Sequence, residues 1–195
     1  MQMIKTLLGM GLALSLVACG GGDKDPGYTS TPTAPQLKIT STSFTDHGEI
    51  PRQYVAVSKG GKNISPQLSI VSLPTGTNAL AIIMHDEVAP CAVADNACVH
   101  WNAFNLPATK KEFAENENLA VIPGVIMGST YNGLTGYQGP NPPNKHIYQI
   151  TVYAMSDGIS PTTTIPRYTP SQFEAAHAGK IIGKATWTGE FTPTP

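Results

Sequence analysis

Charge is scarce in this 195-residue chain. Asp, Glu, Lys and Arg make up 13% of it and leave a formal net charge of −1. A chain this close to neutrality carries no strongly basic face, which excludes nucleic acid as the expected partner. It also argues against a largely helical protein with long solvated charged faces. Two common hydrolase signatures are absent, the Gly-x-Ser-x-Gly elbow and the His-Glu-x-x-His helix. There is no internal repeat. No hydrophobic run has the length of a membrane span: the apolar stretch from Thr6 to Ala18 is too short. What the chain does have is 19 Gly, 17 Pro and an aromatic set led by 7 Tyr, the composition of strands joined by turns.

The short apolar run reads as an export signal. Lys5 is the only charge among the first 22 residues, and small residues lead to Leu16-Val17-Ala18-Cys19. That ending looks like a bacterial lipobox. The likeness implies a signal peptide over residues 1–18 and lipidation of Cys19, which would tie the protein to a membrane. Gly20 in place of Asp favours an outer-membrane lipoprotein facing the periplasm. Residues 19–36 form a tether of Gly, Asp, Thr, Ser and Pro with no core-forming potential. The folded domain then spans residues 37–195. With Cys19 set aside, two of the three cysteines remain, Cys91 and Cys98, in one short polar loop. In an exported protein they favour a local disulfide. The alternative, a metal site of Cys91, Cys98 and His100, has no second close-spaced Cys or His pair to support it.

Within the domain, strands are predicted at 37–41, 53–57, 68–70, 79–84, 99–106, 146–155 and 185–191. The unbroken apolar run 79–84 has the pattern of a central strand covered on both faces. Alternation puts Val99, Trp101 and Ala103 on one face and His100, Asn102 and Phe104 on the other. It also puts His146, Tyr148, Ile150, Val152 and Ala154 on a single face. Residues 112–119 read as a short helix or loop. Residues 170–177 read as a helix capped by Thr169 or Ser171. Residues 45–51, 60–66 and 73–78 read as turns and loops. Short strands between Pro/Gly turns argue for an all-β protein, an antiparallel β-sandwich with short helices.

Chemistry concentrates in two segments. Asp86 follows the apolar run, with His85 before it and Pro90 after, and His100-Trp101 opens the next strand. In the second segment, Gly139, Pro140, Asn141, Pro142 and Pro143 form a restricted stretch ahead of His146 and Tyr148. Imidazole N–H, phenol O–H and backbone N–H donors around a rigid wall suit phosphate, sulfate or carboxylate. Each residue taken alone also has a structural reading, as strand-end donor, turn-former or core aromatic. A hydrolase with His100 or His146 as base and Asp86 as orienter stays open as an alternative, as does a metal-dependent one that draws on His85, Asp86, Glu87, His100 and His146. No positioned nucleophile accompanies them.

Five ordered motifs carry a resemblance. Asn63-Ile64-Ser65-Pro66-Gln67-Leu68, Asp86 with Ala89-Pro90, His100-Trp101, Gly136-Tyr137-Gln138-Gly139-Pro140-Asn141-Pro142-Pro143 and His146-Ile147-Tyr148 stand in sequence order. Together they resemble the phosphatidylethanolamine-binding protein family, in its bacterial Raf-kinase-inhibitor-like branch. The resemblance covers roughly residues 38–191 and implies a Greek-key β-sandwich with a small anion pocket at one end. By position it makes Asp86, His100, Gly139, Pro140, Asn141, Pro142, His146 and Tyr148 ligand-binding residues, with His85 and Trp101 as additional candidates. It implies no cofactor, no metal and no catalytic residue. The expected partners are a small anion, a phospholipid head group or an envelope protein. Inhibition of a hydrolase through surface loops is a further alternative. Glu87 and Val88 stand where the family usually has Pro and Asp, and Ile147 replaces its usual Arg.

Overall fold

A computed structural model describes residues 34–86, 97–161 and 163–194, all within one unit, Ala34–Pro195. The leader, Cys19, Glu87, Val88 and Cys91 lie outside the described residues. Among the described residues nine strands and one α-helix follow in order: β1 (Lys38–Thr40), β2 (Gly48–Glu49), β3 (Leu68–Ser72), β4 (Ala79–Asp86), β5 (Cys98–Pro107), β6 (Glu112–Phe113), β7 (Ile126–Met127), β8 (His146–Met155), α1 (Pro170–His177) and β9 (Ile181–Phe191).

The strands form two sheets. One has three strands in the order β1-β3-β6, the other six in the order β2-β9-β8-β4-β5-β7. Every residue of β4 is buried, as its unbroken apolar run requires of a strand covered on both faces. On one face Leu80, Ile82 and Met84 pack with Ile150 and Val152 of β8 against Ile39, Leu68, Ile70 and Phe113 of the small sheet. This is the core of a β-sandwich. On the other face Ala81 and Ile83 pack with Phe104, Tyr153 and Phe173 of α1. Thr169 caps α1, accepting from the Gln172 backbone N–H while Gln172 reaches back to the Thr169 N–H. The predicted face of β8 holds: Tyr148, Ile150, Val152 and Ala154 all enter the sandwich core.

Four expectations need correction. Residues 53–57 are not a strand but parts of two single 3₁₀ turns, Arg52–Tyr54 and Val57–Lys59. The Tyr54 and Val55 N–H groups donate to the Pro51 and Arg52 carbonyls, at 3.0 and 3.1 Å, and not to a neighbouring strand. Residues 112–119 hold the two-residue β6 and lead to a 3₁₀ turn at Leu119–Val121, whose Asn118 side chain accepts from Ala120 N–H. The stretch read as a turn at 45–51 contains β2, which pairs parallel with β9, so the large sheet is not purely antiparallel. His47 and Ile50 donate to Thr188 and Glu190 there, at 2.7 Å each. Finally, β7 is an element the sequence reading does not contain; it pairs with β5 at the sheet edge.

A fifth departure matters for the site. Along β4 and β5, Met84 pairs with Trp101 but His85 pairs with Val99, so His100 is an extra residue in β5. A β-bulge of this kind re-aims one side chain. It brings His100 to the end of the sandwich where Asp86 and Tyr148 meet, although strict alternation would put it opposite Trp101.

Candidate functional site

Three neighbouring strand ends build a pocket. Asp86 ends β4, Cys98 and His100 open β5, and His146 and Tyr148 open β8. Asp86 stands in register opposite Cys98 on one side and Tyr148 on the other. The antiparallel ladders therefore fix these side chains before any local contact does. Tyr131, Asn141, Pro142 and Pro143 complete the lining of a cavity of about 180 Å³. That is below the range of about 300–1,000 Å³ usual for drug-sized ligands.

Asp86 organises the floor. Its Oδ2 lies 2.6 Å from His146 Nδ1, with both side chains buried. A carboxylate only accepts, so Nδ1 carries the proton and Nε2 remains for a ligand. The Tyr148 hydroxyl also donates to Asp86, and burial together with the neighbouring carboxylate raises its pKa well above the usual phenol value. His100 stands edge-on to the Tyr148 ring at 5.1 Å and packs beside Tyr131 at 4.9 Å. Its Nδ1 is 2.7 Å from the Gln138 carbonyl, which again fixes the proton on Nδ1. Burial lowers the His100 pKa to about 4, so the ring is neutral at pH 7.

These bonds change the donor inventory. Of the N–H and O–H groups expected to face an anion, the His100 Nδ1–H and the Tyr148 O–H are already committed to protein acceptors. The available donors are the Tyr131 hydroxyl, which has no hydrogen-bond partner among the described residues, and the Asn141 amide. Asn141 Oδ1 accepts from Ser58 Oγ at 2.9 Å, which turns the amide N–H₂ free.

The wall segment is held from behind. Gly139 N–H donates to Asn63 Oδ1 at 2.7 Å, Ala56 N–H donates to the Pro140 carbonyl at 3.0 Å, and Tyr137 O–H donates to the Tyr54 carbonyl at 2.8 Å. Asn63 sits at φ +55°, a left-handed conformation that Asn tolerates. Gly139 and Pro140 thus anchor the wall rather than line the cavity. A Cβ on Gly139 would lie 2.4 Å from the Tyr54 carbonyl oxygen and 2.7 Å from the Val55 carbonyl carbon. Both are backbone atoms that cannot swing away. Gly139→Ala is therefore expected to cost about 1–3 kcal/mol and to shift Asn141 and Pro142, weakening any ligand of the pocket. Urea unfolding with a parallel ligand titration checks this, and unchanged values for both would remove the anchoring role.

Two candidates lie elsewhere. His85 alternates with Asp86 along β4, so it faces away from the cavity it was expected to join; it still disfavours protonation of His100. Trp101 is buried in the sandwich core, edge-on to Tyr137 at 5.7 Å, and borders a separate cavity with Asn63 and Glu117. Tyr131 is a lining residue the sequence reading missed. Tyr131 is placed by a long-range bond from its N–H to the Val99 carbonyl, at 2.8 Å, which no local pattern announces. Pro143 was legible as part of the rigid wall. Cys98, singled out for a disulfide, is disulfide-bonded and also lines the pocket. Among the described residues no three His, Cys, Asp or Glu side chains are arranged to hold a metal ion. No described helix is long and apolar enough to cross a membrane.

Comparison with known proteins agrees with this geometry. A protein of Chlamydia muridarum named only "UPF0098 protein" is 31% identical over 157 residues, covering 80% of this chain and 98% of the relative. The Mycobacterium tuberculosis protein named "Putative lipoprotein LppC" is 30% identical over 200 residues, covering 94% of this chain and 92% of its own. Among solved structures, the "Putative PhosphatidylEthanolamine-Binding Protein (PEBP) Homolog" of Chlamydia trachomatis superposes with a TM-score of 0.69 at 28% identity. It covers 82% of this chain and 99% of that one. The profile of the phosphatidylethanolamine-binding proteins matches residues 40–192, which includes the whole large sheet and every lining residue of the pocket, and the chain belongs to that family.

Proposed function

We propose that this protein is a non-catalytic lipoprotein of the bacterial cell envelope that binds a small anion or a phosphate-bearing head group. The observation that carries the reading is the cavity of about 180 Å³ in which Asp86 orients His146 and Tyr148 beside a neutral His100. Its size suits a head group and not a whole lipid. Among the described residues its lining holds no Ser or Thr, and Cys98 is disulfide-bonded, so none of them offers a hydroxyl or thiol nucleophile of the Ser, Thr or Cys kind beside the imidazoles. The disulfide fits an oxidising compartment. The leader ending at Cys19 and the name of the mycobacterial relative support a lipid anchor. Gly20 favours the outer membrane, with the domain facing the periplasm.

A protein partner at the pocket rim is favoured by one observation. Val57, 71% exposed, neighbours the Ser58 that holds Asn141, and Leu134, 57% exposed, lies in the loop between Tyr131 and Gln138. Exposed apolar residues beside a pocket suit a docking loop.

Calorimetric titration of the purified protein with inorganic phosphate and phosphoethanolamine tests the main reading. Saturable binding is expected, and weaker in His146→Ala, which removes the ring that Asp86 orients into the cavity. Thermal melting on the same samples confirms that the variant is folded. Absence of saturable binding to the wild type at millimolar ligand would sink the reading.

A further inference from the structure

Among the described residues the pocket holds no permanent cation: its lining includes one carboxylate and neither Lys nor Arg. Its deepest imidazole is wired to accept. His100 Nδ1 donates to the Gln138 carbonyl, and Nε2 therefore presents a lone pair. The Asp86 carboxylate sits close by with its own negative charge. An anion with no proton would bring oxygen lone pairs against both groups, with no compensating charge in the wall.

Resting on the anion-pocket reading, we propose that the site selects anions that carry their own proton. It takes the monoprotonated form of a phosphate or phosphomonoester, whose P–O–H donates to His100 Nε2 while its other oxygens accept from Tyr131 and Asn141. The fully ionised dianion and the sulfate group are excluded by the same geometry. The discrimination follows the general rule that a site built to hydrogen-bond an O–H rejects the analogue lacking it, because a buried acceptor is left facing an acceptor.

The groups that face His100 bear on its charge. They are Asp86 and, on the other side of β4, His85; His146 and Tyr148 on β8; and Tyr131 across the ring. Burial outweighs the attraction of Asp86 and keeps His100 neutral down to about pH 4. A ligand titrating near pH 6 therefore changes charge in a range where His100 does not.

Methyl phosphate and methyl sulfate separate these effects. At low pH both carry one negative charge and nearly the same shape, but only methyl phosphate has a proton. Its second ionisation lies at a pKa of about 6. Calorimetric titration of the purified protein at pH 5.5 and 7.5 is expected to show methyl phosphate binding about 20-fold more tightly at the lower pH, following the monoanion fraction. Methyl sulfate is expected to bind at least about tenfold more weakly at pH 5.5. Equal, pH-independent affinity for the two ligands would overturn the proton requirement and leave the anion pocket standing. Equal gains for both at low pH would also overturn it, because the effect would then lie in the protein and not in the ligand's proton. No binding of either would remove the anion pocket and this inference with it.

Discussion

Asp86→Ala is expected to destabilise the protein by about 3–5 kcal/mol, the range for breaking a buried, hydrogen-bonded pair by removing one partner. It is also expected to abolish ligand uptake. Asp86 is 1% exposed and accepts from two buried donors, His146 Nδ1 and the Tyr148 hydroxyl. In the alanine variant both donors lose their acceptor, and neither strand end has slack to turn toward water. Asp86→Asn keeps the volume and one acceptor oxygen but sets an amide N–H₂ against the second donor. It should fall between wild type and alanine, at about 2 kcal/mol. Urea unfolding with an unchanged denaturant slope measures both. An alanine variant within about 1 kcal/mol of wild type would mean that Asp86 does not hold the floor of the pocket together.

The two residues bound to Asp86 were within reach of the sequence. His146 and Tyr148 sit two apart in a strand whose alternation is unbroken to Met155, so a shared face follows from the pleat alone. The apolar run of β4 likewise announced a central strand ending at a carboxylate. His100 was found only through its motif. Alternation assigned it the wrong face, because the bulge that turns it depends on β5 carrying one more residue than β4, which is a property of the pair. The same happens at the far end of β5. Asn105, at φ +60°, is extra there, and its side chain both accepts from and donates to the Ile159 backbone. Tyr131 was illegible for a related reason. It lies among turn residues, and a bond to Val99 across the sheet edge decides where its ring goes. Local pattern thus specified the straight strands, and pairing between strands specified the departures that shape the site. The donor inventory was misjudged for the same reason, since the carbonyl of Gln138 and the carboxylate of Asp86 become partners only when the strand ends and the wall come together.

Acidification is expected to destabilise the wild-type protein through His100 by about 3 kcal/mol, at about 1.4 kcal/mol per pKa unit. Burial holds the folded-state pKa near 4, against an ordinary value of 6.5. Between those values the unfolded chain binds a proton that the native protein refuses. The contribution is therefore fully present above pH 6.5, is lost as pH falls through the window, and levels off below about pH 4. His177 in α1 is also held below its ordinary value by burial, and the depressed carboxyls of Glu117 and Glu174 add losses at lower pH. The wild-type curve alone would mix these. His100→Gln removes the imidazole and keeps an N–H within reach of Gln138. The difference between its pH–stability curve and that of wild type isolates the ring. Urea midpoints from pH 7.5 to 4 are expected to converge, with the wild type falling more steeply; parallel curves would show that His100 is not kept neutral. The same burial that creates this acid sensitivity leaves Nε2 an acceptor at neutral pH. The cost to stability at low pH and the selection for a proton-bearing ligand are then two consequences of one buried ring.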